Sequence, residues 1–419
     1  MKIVYLNPGG TIGGAEMVLL DVLAALPAAR PGARPLVLLS DDGPLREAVE
    51  ALGVACDVVP MPEGVARLGD AGSKGAARAL ALAARGLAAA SGVLAYRSRL
   101  ARRLRDERPD LVHSNGMKMH LLAAWSAARG VPIVWHLHDY LGSRPAMARL
   151  LRLSARRGVG AVAVSDSVAD DARATLGDRV PVRAIHNGVD VDRFHPGPGP
   201  GDGPALDRAA GLAEAPAGAV RVGLVATFAN WKGHELFLDA AARVPADAPA
   251  RFYVVGGPIY RTAGSQVSMD DLKAQAARLG LGDRVGFTGH QPDPAAALRA
   301  LDVVVHASTR PEPFGRVIVE GMACGRAVIA MAEGGAAELF IDGRDALGCP
   351  PRDPAALAAA MRRLIEDRDL RDRLGRAARA SAESRFDRAR LADAWASVYD
   401  RPSAAGVAAP VPPDPAVVR

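Results

Sequence analysis

The sequence predicts an α/β protein made of two doubly wound parallel-sheet domains, and three observations carry that prediction. Short apolar runs at 3–6, 36–39, 111–113, 133–137, 161–164 and 182–185 alternate with helical patterns, the rhythm of parallel sheets. The rhythm lapses after Asn187-Gly188-Val189-Asp190, where residues 195–219 are so rich in Pro, Gly and Ala that no element is expected. It restarts with runs at 221–225, 252–255, 285–288, 303–306 and 327–330. Two similar halves flanking a linker suggest two Rossmann-like domains facing each other across a central cleft. The expected division is 1–190, a linker at 191–219, a second domain at 220–385, a terminal helix at 386–401 and a disordered tail at 402–419.

In chain order, MKIVYLNPGG lacks the long apolar core of a leader segment and reads as a first strand. PGGTIGGAE, residues 8–16, joins that strand to a helix, and a glycine-rich turn there exposes backbone N–H groups suited to phosphate. The dinucleotide fingerprint fits poorly, because the glycines run Gly9, Gly10, Gly13, Gly14 and the first acid after a second strand, Asp41, stands 28 residues past Gly13.

Between Lys74 and Arg108, nine basic residues face only Asp106 and Glu107, a net +7, with Leu80, Leu82, Leu87, Leu94 and Leu100 interspersed. Arg144, Arg149, Arg152, Arg156 and Arg157 form a second basic run. Two readings stand side by side: an interfacial helix meeting anionic lipid, and a solvated helix face. Further on, Trp135-His136-Leu137-His138-Asp139 closes the fourth apolar run. The two histidines alternate in phase, so one of them can be packed rather than presented. No third and fourth ligand stands at a metal-binding spacing, and none is expected to bind.

In the second half, ATFANWKG, residues 226–233, sets Lys232 just before a helix N-terminus, a position that favours phosphate. Gly256-Gly257-Pro258 and Gly289-His290-Gln291 end further strands and are expected walls for a nucleotide base. Residues 302–330 read as one βαβ unit: a buried strand, a stiff RPEPFG loop, a helix over 317–323 and the next strand. Pro311 and Pro313 hold Glu312 extended, which fixes where its carboxylate points. Glu320 follows eight residues later inside the helix. Two acids at the carboxyl edge of a parallel sheet can grip hydroxyl-rich ligands. Leu357, Met361, Leu364 and Ile365, then Phe386, Leu391, Trp395 and Val398, recur at helical spacing.

Composition bounds the partners. At 419 residues with 49% hydrophobic content the chain can furnish real cores, and a net charge of +6 permits anionic partners. Aromatics are 4% and scattered, which argues against a single-stranded nucleic-acid groove. Cys56, Cys324 and Cys349 are odd in number and without C-x-x-C spacing, which fits a reducing cytosol. Arginines interrupt the Ala-rich stretch at 76–95, so membrane association is expected to be peripheral, on the inner face of the cytoplasmic membrane.

EPFGRVIVE from Glu312 to Glu320, followed by GMACGRAVIA and Gly334-Gly335-Ala336-Ala337-Glu338, resembles the E-x7-E signature of the family 4 retaining glycosyltransferases. The resemblance extends over most of the chain and implies the two-domain GT-B architecture, with an acceptor domain at 1–190 and a donor domain at 220–385. It implies that Glu312 contacts donor-sugar hydroxyls and that Glu320 binds the ribose. Phe314 and Gly315 would approach the donor by their backbone, with Gly334 and Gly335 in a second loop beside it. GGAE resembles the family's N-terminal glycine loop, which sets Gly13 and Gly14 toward the donor phosphates. His138 falls at the strand-end histidine that faces the reacting sugar, and Lys232 at the lysine that neutralises the diphosphate. NGVD with Phe194 resembles the hinge junction, where Gly188 would supply a turn and Phe194 an anchor. In one departure, Thr227 stands where the family usually has Arg, and Arg316 is the favoured substitute, ahead of Arg310.

The implied reaction moves a sugar from a nucleoside-diphosphate sugar to a hydroxyl acceptor, without metal or other cofactor, in glycan, glycolipid or metabolite glycosylation. Two other classes are weighed beside it. A catalytically weak sugar-nucleotide binder of the same fold would have lost the acids, and both are present. A nicotinamide-dependent oxidoreductase would need the fingerprint that the first loop lacks.

Overall fold

A computed structural model describes residues 1–66, 76–155, 158–197, 202–258 and 265–400, with side chains described for these save 66 and 76–89. The tail at 402–419, the basic-run residues Lys74, Arg156 and Arg157, and the side chains of Arg78 and Arg85 lie outside that description. The chain divides into two compact units: residues 1–188 with the terminal helix Arg388–Asp400, and residues 189–387.

The first unit holds a seven-stranded sheet of β1 (Lys2–Asn7), β2 (Arg34–Leu39), β3 (Ala55–Val58), β4 (Leu111–Asn115), β5 (Ile133–Leu137), β6 (Val159–Ala163) and β7 (Val182–Ala184), in the order β3-β2-β1-β4-β5-β6-β7. In the second, β8 (Val220–Val225), β9 (Ala250–Val255), β10 (Val285–Gly289), β11 (Val303–His306), β12 (Ala327–Met331) and β13 (Leu347–Cys349) run in the order β10-β9-β8-β11-β12-β13. Every strand pair in both sheets is parallel. Helices on both faces explain the unbroken apolar runs: β11 and β12 are buried at every residue. All carboxyl ends in a sheet therefore lie on one edge, and strand order reverses between β1 and β4 and between β8 and β11. Such switch points are where open parallel sheets bind ligands.

Both strands absent from the periodic reading, β3 and β13, are sheet edges. An edge strand pairs on one side and is short, so ACDV and LGC carry little of the apolar run that marks a central strand.

The stretch expected to be structureless is corrected in part. Helix Asp202–Ala209 forms within it, with Leu206 and Asp207 buried. Asp207 pairs with Arg221 Nη2 at 2.8 Å and accepts from the Tyr253 hydroxyl and the Ala215 amide, so the segment docks onto the second sheet. One satisfied ion pair and one apolar anchor hold a composition that local propensity alone would leave as coil.

The terminal helix belongs to the first unit. Leu391, Trp395, Val398 and Tyr399 share a core with Ile3, Tyr5, Leu19, Val22 and Leu23. Burial of Leu391 and Val398 contributes about 1.5–3 kcal/mol each to that docking. At the junction, the Asp190 carboxylate accepts from the Asp192 and Arg193 amides at 3.1 Å, and Phe194 is buried. Gly188 supplies no left-handed turn; a Cβ there would stand 2.8 Å from Arg388 Cα, so close approach is what requires glycine. Among the described residues no helix is long and apolar enough to cross a membrane.

Candidate functional site

In the second unit the loops after β8 and β11 meet at the switch point. Thr309 donates its amide to Trp231 O at 2.8 Å, which ties the two loops together. Gly233 has φ +76° and caps helix His234–Ala242; a Cβ there would fall 1.8 Å from Ala307 O, so no other residue fits without moving a loop. Behind them, Phe228 N donates to Gly257 O at 3.0 Å and Gly256 N to Gly289 O at 3.0 Å, so the ends of β8, β9 and β10 join into one floor.

Lys232 Nζ donates to Glu312 Oε1 at 2.6 Å. The other carboxylate oxygen accepts from Ser308 Oγ and lies 3.5 Å from His306 Nε2. Burial alone would raise the Glu312 pKa, but the Lys232 ammonium and His306 outweigh it and hold the carboxyl well below the usual carboxylate range. Glu312 is thus a fixed anion clamped from two sides.

Its backbone is also held. Gly335 N donates to Glu312 O at 2.8 Å and Gly334 pairs with Glu312 as an isolated bridge, which brings the second glycine loop against the first. Gly315, at φ +96°, caps helix Arg316–Ala323. Phe314 is buried, edge-on to Phe386 with ring centroids 6.3 Å apart. Within that helix Arg316 Nε donates to Glu320 Oε1 at 3.2 Å. Arg310 sets its guanidinium 5.8 Å from the Trp231 ring centroid, a cation–π contact rather than a pair with Glu312. Thr227 Oγ1 is buried without a hydrogen-bond partner.

His306 and Ser308 were not singled out by motif. Both stand at the end of β11 in the same alternating phase, and that period-two signal, pointing at the proline-held acid, is what could have found them.

In the first unit, Gly13 caps helix Gly14–Ala29, and its amide donates to Glu16 Oε2 at 3.0 Å. Glu16 Oε1 in turn accepts from Asn7 Nδ2 at 3.3 Å, and burial raises the Glu16 pKa. Gly10 packs against the next loop, where its Cβ would stand 2.6 Å from Gly43 N, whereas a Cβ on Gly14 would meet open space. At the neighbouring edge His138 is half-buried, with Nε2 3.3 Å from Asn115 Oδ1. His136 is 1% exposed, so of the two in-phase histidines it is the packed one.

Residues 214–381 match the family model described as "Glycosyl transferases group 1", and residues 12–193 match "Glycosyltransferase Family 4". D-inositol 3-phosphate glycosyltransferase of Geodermatophilus obscurus is 35% identical over 237 residues, 55% of this chain and 49% of that protein, so the match spans about half of its length. N-acetyl-alpha-D-glucosaminyl L-malate synthase of Bacillus anthracis is 25% identical over 315 residues, 73% of this chain and 78% of its own. The crystal structure of Anabaena HepE in complex with UDP-glucose superposes with a TM-score of 0.76 at 28% identity, covering 94% of this chain and 98% of that one. Two consecutive family matches, a pair of parallel α/β sheets and a whole-chain structural likeness agree: the chain belongs to the family 4 glycosyltransferases and has their GT-B fold.

Proposed function

We propose that this protein transfers a sugar from a nucleoside-diphosphate sugar to a hydroxyl acceptor with retention of configuration. The Lys232–Glu312 pair at the β8–β11 switch point carries the reading: a cation and a clamped anion stand side by side where a diphosphate and its sugar would lie. In this reading the donor binds the 189–387 unit and the acceptor the other. Lys232 turns from Glu312 to the diphosphate as charge develops on it, supported by the N-terminus of the helix that begins at His234. Glu312 holds donor-sugar hydroxyls and Glu320 the ribose, with Phe314, Gly315, Gly334 and Gly335 lining the donor. Arg316, which holds Glu320, stands beside the ligand as a second cation. Gly13 and Gly14 face the phosphates and His138 the sugar. The leaving diphosphate oxygen takes the acceptor proton, so no metal and no separate protein base is needed.

Thermal shifts with UDP, GDP, ADP and UDP-glucose test this. A nucleotide at 100 times its Kd stabilises by about 2.7 kcal/mol, which moves the Tm by about 5–10 °C for a domain of this size. No rise with any nucleoside diphosphate would overturn the reading.

The acceptor is proposed to be met at an anionic membrane surface. Leu94, Leu150, Leu153 and Trp125 are exposed in the first unit. Trp125 links the two helices that carry the leucines, its Nε1 donating to Ser154 Oγ at 2.9 Å and its carbonyl accepting from Arg97 Nε at 3.1 Å. Arg149 and Arg152 flank the leucines. Apolar anchors ringed by arginine suit peripheral binding. Flotation with phosphatidylglycerol vesicles but not phosphatidylcholine, declining with salt, is expected; equal recovery with both lipids would leave these residues as a solvated face.

A further inference from the structure

One face of the first sheet carries a row of polar rings. Tyr5 stands opposite His113 in the β1–β4 register and Asn115 opposite His136 in β4–β5, and alternation brings His138 to the same side. The terminal helix covers this face: the Trp395 ring centroid lies 4.7 Å from that of His113 and 4.6 Å from that of His136. Hydrogen bonds run along the row. The Tyr5 hydroxyl donates to the Tyr399 hydroxyl at 3.1 Å, Tyr399 Oη lies 2.8 Å from His113 Nδ1, and His113 Nε2 lies 3.3 Å from His136 Nδ1. Burial takes His113 down to about 3 and His136 well below its ordinary range, so both rings are neutral.

A neutral imidazole has one proton and a hydroxyl one proton with two acceptor lone pairs, so two proton orders can link these contacts; the one that uses the Tyr399 proton is favoured, because the other leaves that buried proton without a partner. Tyr399 gives its proton to His113 Nδ1. In that order His113 carries hydrogen on Nε2 and gives it to His136 Nδ1, and His136 carries its own on Nε2, which is buried without a hydrogen-bond partner. His138 packs on that ring, with centroids 4.0 Å apart and planes at 42°.

We propose that Tyr399 of the terminal helix is a positioning residue for His138: it fixes the tautomers of the two buried histidines, and the His136 ring so held sets the direction of His138. The consequence for turnover rests on the role proposed for His138, whereas the arrangement itself needs no substrate. Tyr399→Phe removes only the hydroxyl and keeps the ring that packs against Trp395.

Long-range proton–nitrogen spectra of the full chain with nitrogen-15-labelled histidine read the outcome. In the wild type His113 and His136 are each expected as one form, protonated on Nε2. Tyr399→Phe should turn both into tautomer mixtures and displace the His138 ring signals. Tyr5→Phe should leave both protonated on Nε2, because Tyr399 keeps its own proton to give. A wild-type pattern in Tyr399→Phe, Nδ1 protonation in the wild type, or His138 signals that do not move would each overturn the proposal. UDP-glucose turnover by His138→Ala at the wild-type rate would instead withdraw the role given to His138 and leave the tautomer result standing.

Discussion

Lys232 Nζ stands 2.6 Å from Glu312 Oε1, and the two residues come from loops 80 positions apart that Thr309 joins, donating its amide and its hydroxyl to Trp231 O. The two charges neutralise each other within the site. On the proposed reading a diphosphate competes with Glu312 for Lys232 rather than meeting a free cation.

That competition predicts opposite effects on binding and turnover in Glu312→Gln. The neutral amide no longer holds Lys232, so affinity for UDP should equal or exceed that of the wild type while sugar turnover falls at least a hundredfold. Calorimetric titration with UDP, beside the rate, checks this; weaker UDP binding would mean that Glu312 itself touches the nucleotide. In Lys232→Ala the carboxylate stays buried with its main partner gone, and stability should fall by about 3 kcal/mol.

Glu320 and Arg316 should behave as a unit. Glu320→Ala is expected to weaken UDP binding by about 1.5–3 kcal/mol through loss of a charge-assisted bond to a hydroxyl. Arg316→Ala should weaken it too, by freeing the Glu320 side chain. Because the two share one contact, the double variant should lose less than the sum of the singles by more than about 0.5 kcal/mol. Additive losses would mean that the 3.2 Å pair does not set the position of Glu320.

Gly233→Ala tests the loop junction. A left-handed φ costs a non-glycine residue about 1–3 kcal/mol, and the methyl would also collide with Ala307 O. Urea unfolding should show a loss above about 3 kcal/mol together with loss of nucleotide binding, whereas an unchanged midpoint would show that the two loops separate freely.

Acid should destabilise the protein in two stages. His113, His120 and His136 have lowered folded pKa values from burial, so the unfolded chain binds more protons once pH drops below about 6.5. Stability is then lost as pH falls, by about 1.4 kcal/mol per pH unit for each histidine. His234, lowered to about 4, adds the same sign in the other unit. Glu312, also depressed when folded, contributes fully above the unfolded carboxyl value of about 4.3, and that share is lost below it. Urea midpoints between pH 7 and 5 should fall, and His113→Phe should flatten the slope.

Sequence by itself determined the architecture and picked out several of the residues that meet at the second sheet's edge. The nine interior strands carry apolar runs because both sheet faces are buried, a property that composition records directly, and the edge strands β7 and β10 keep enough of that pattern to be read. The proline-held Glu312, the glycine pairs and Lys232 before a helix start were legible because each imposes a local backbone demand. Tertiary structure alone decided what these residues touch. The pairing of Lys232 with Glu312, of Arg316 with Glu320 and of Arg310 with Trp231 depends on side chains meeting from separate loops or choosing between neighbours, which spacing does not encode. The edge strands β3 and β13 take their conformation from one partner strand, and helix Asp202–Ala209 takes its place from Arg221 and Tyr253 on the sheet. Which of His136 and His138 is buried was decided by the terminal helix, whose Trp395 and Tyr399 arrive from more than 250 residues away along the chain.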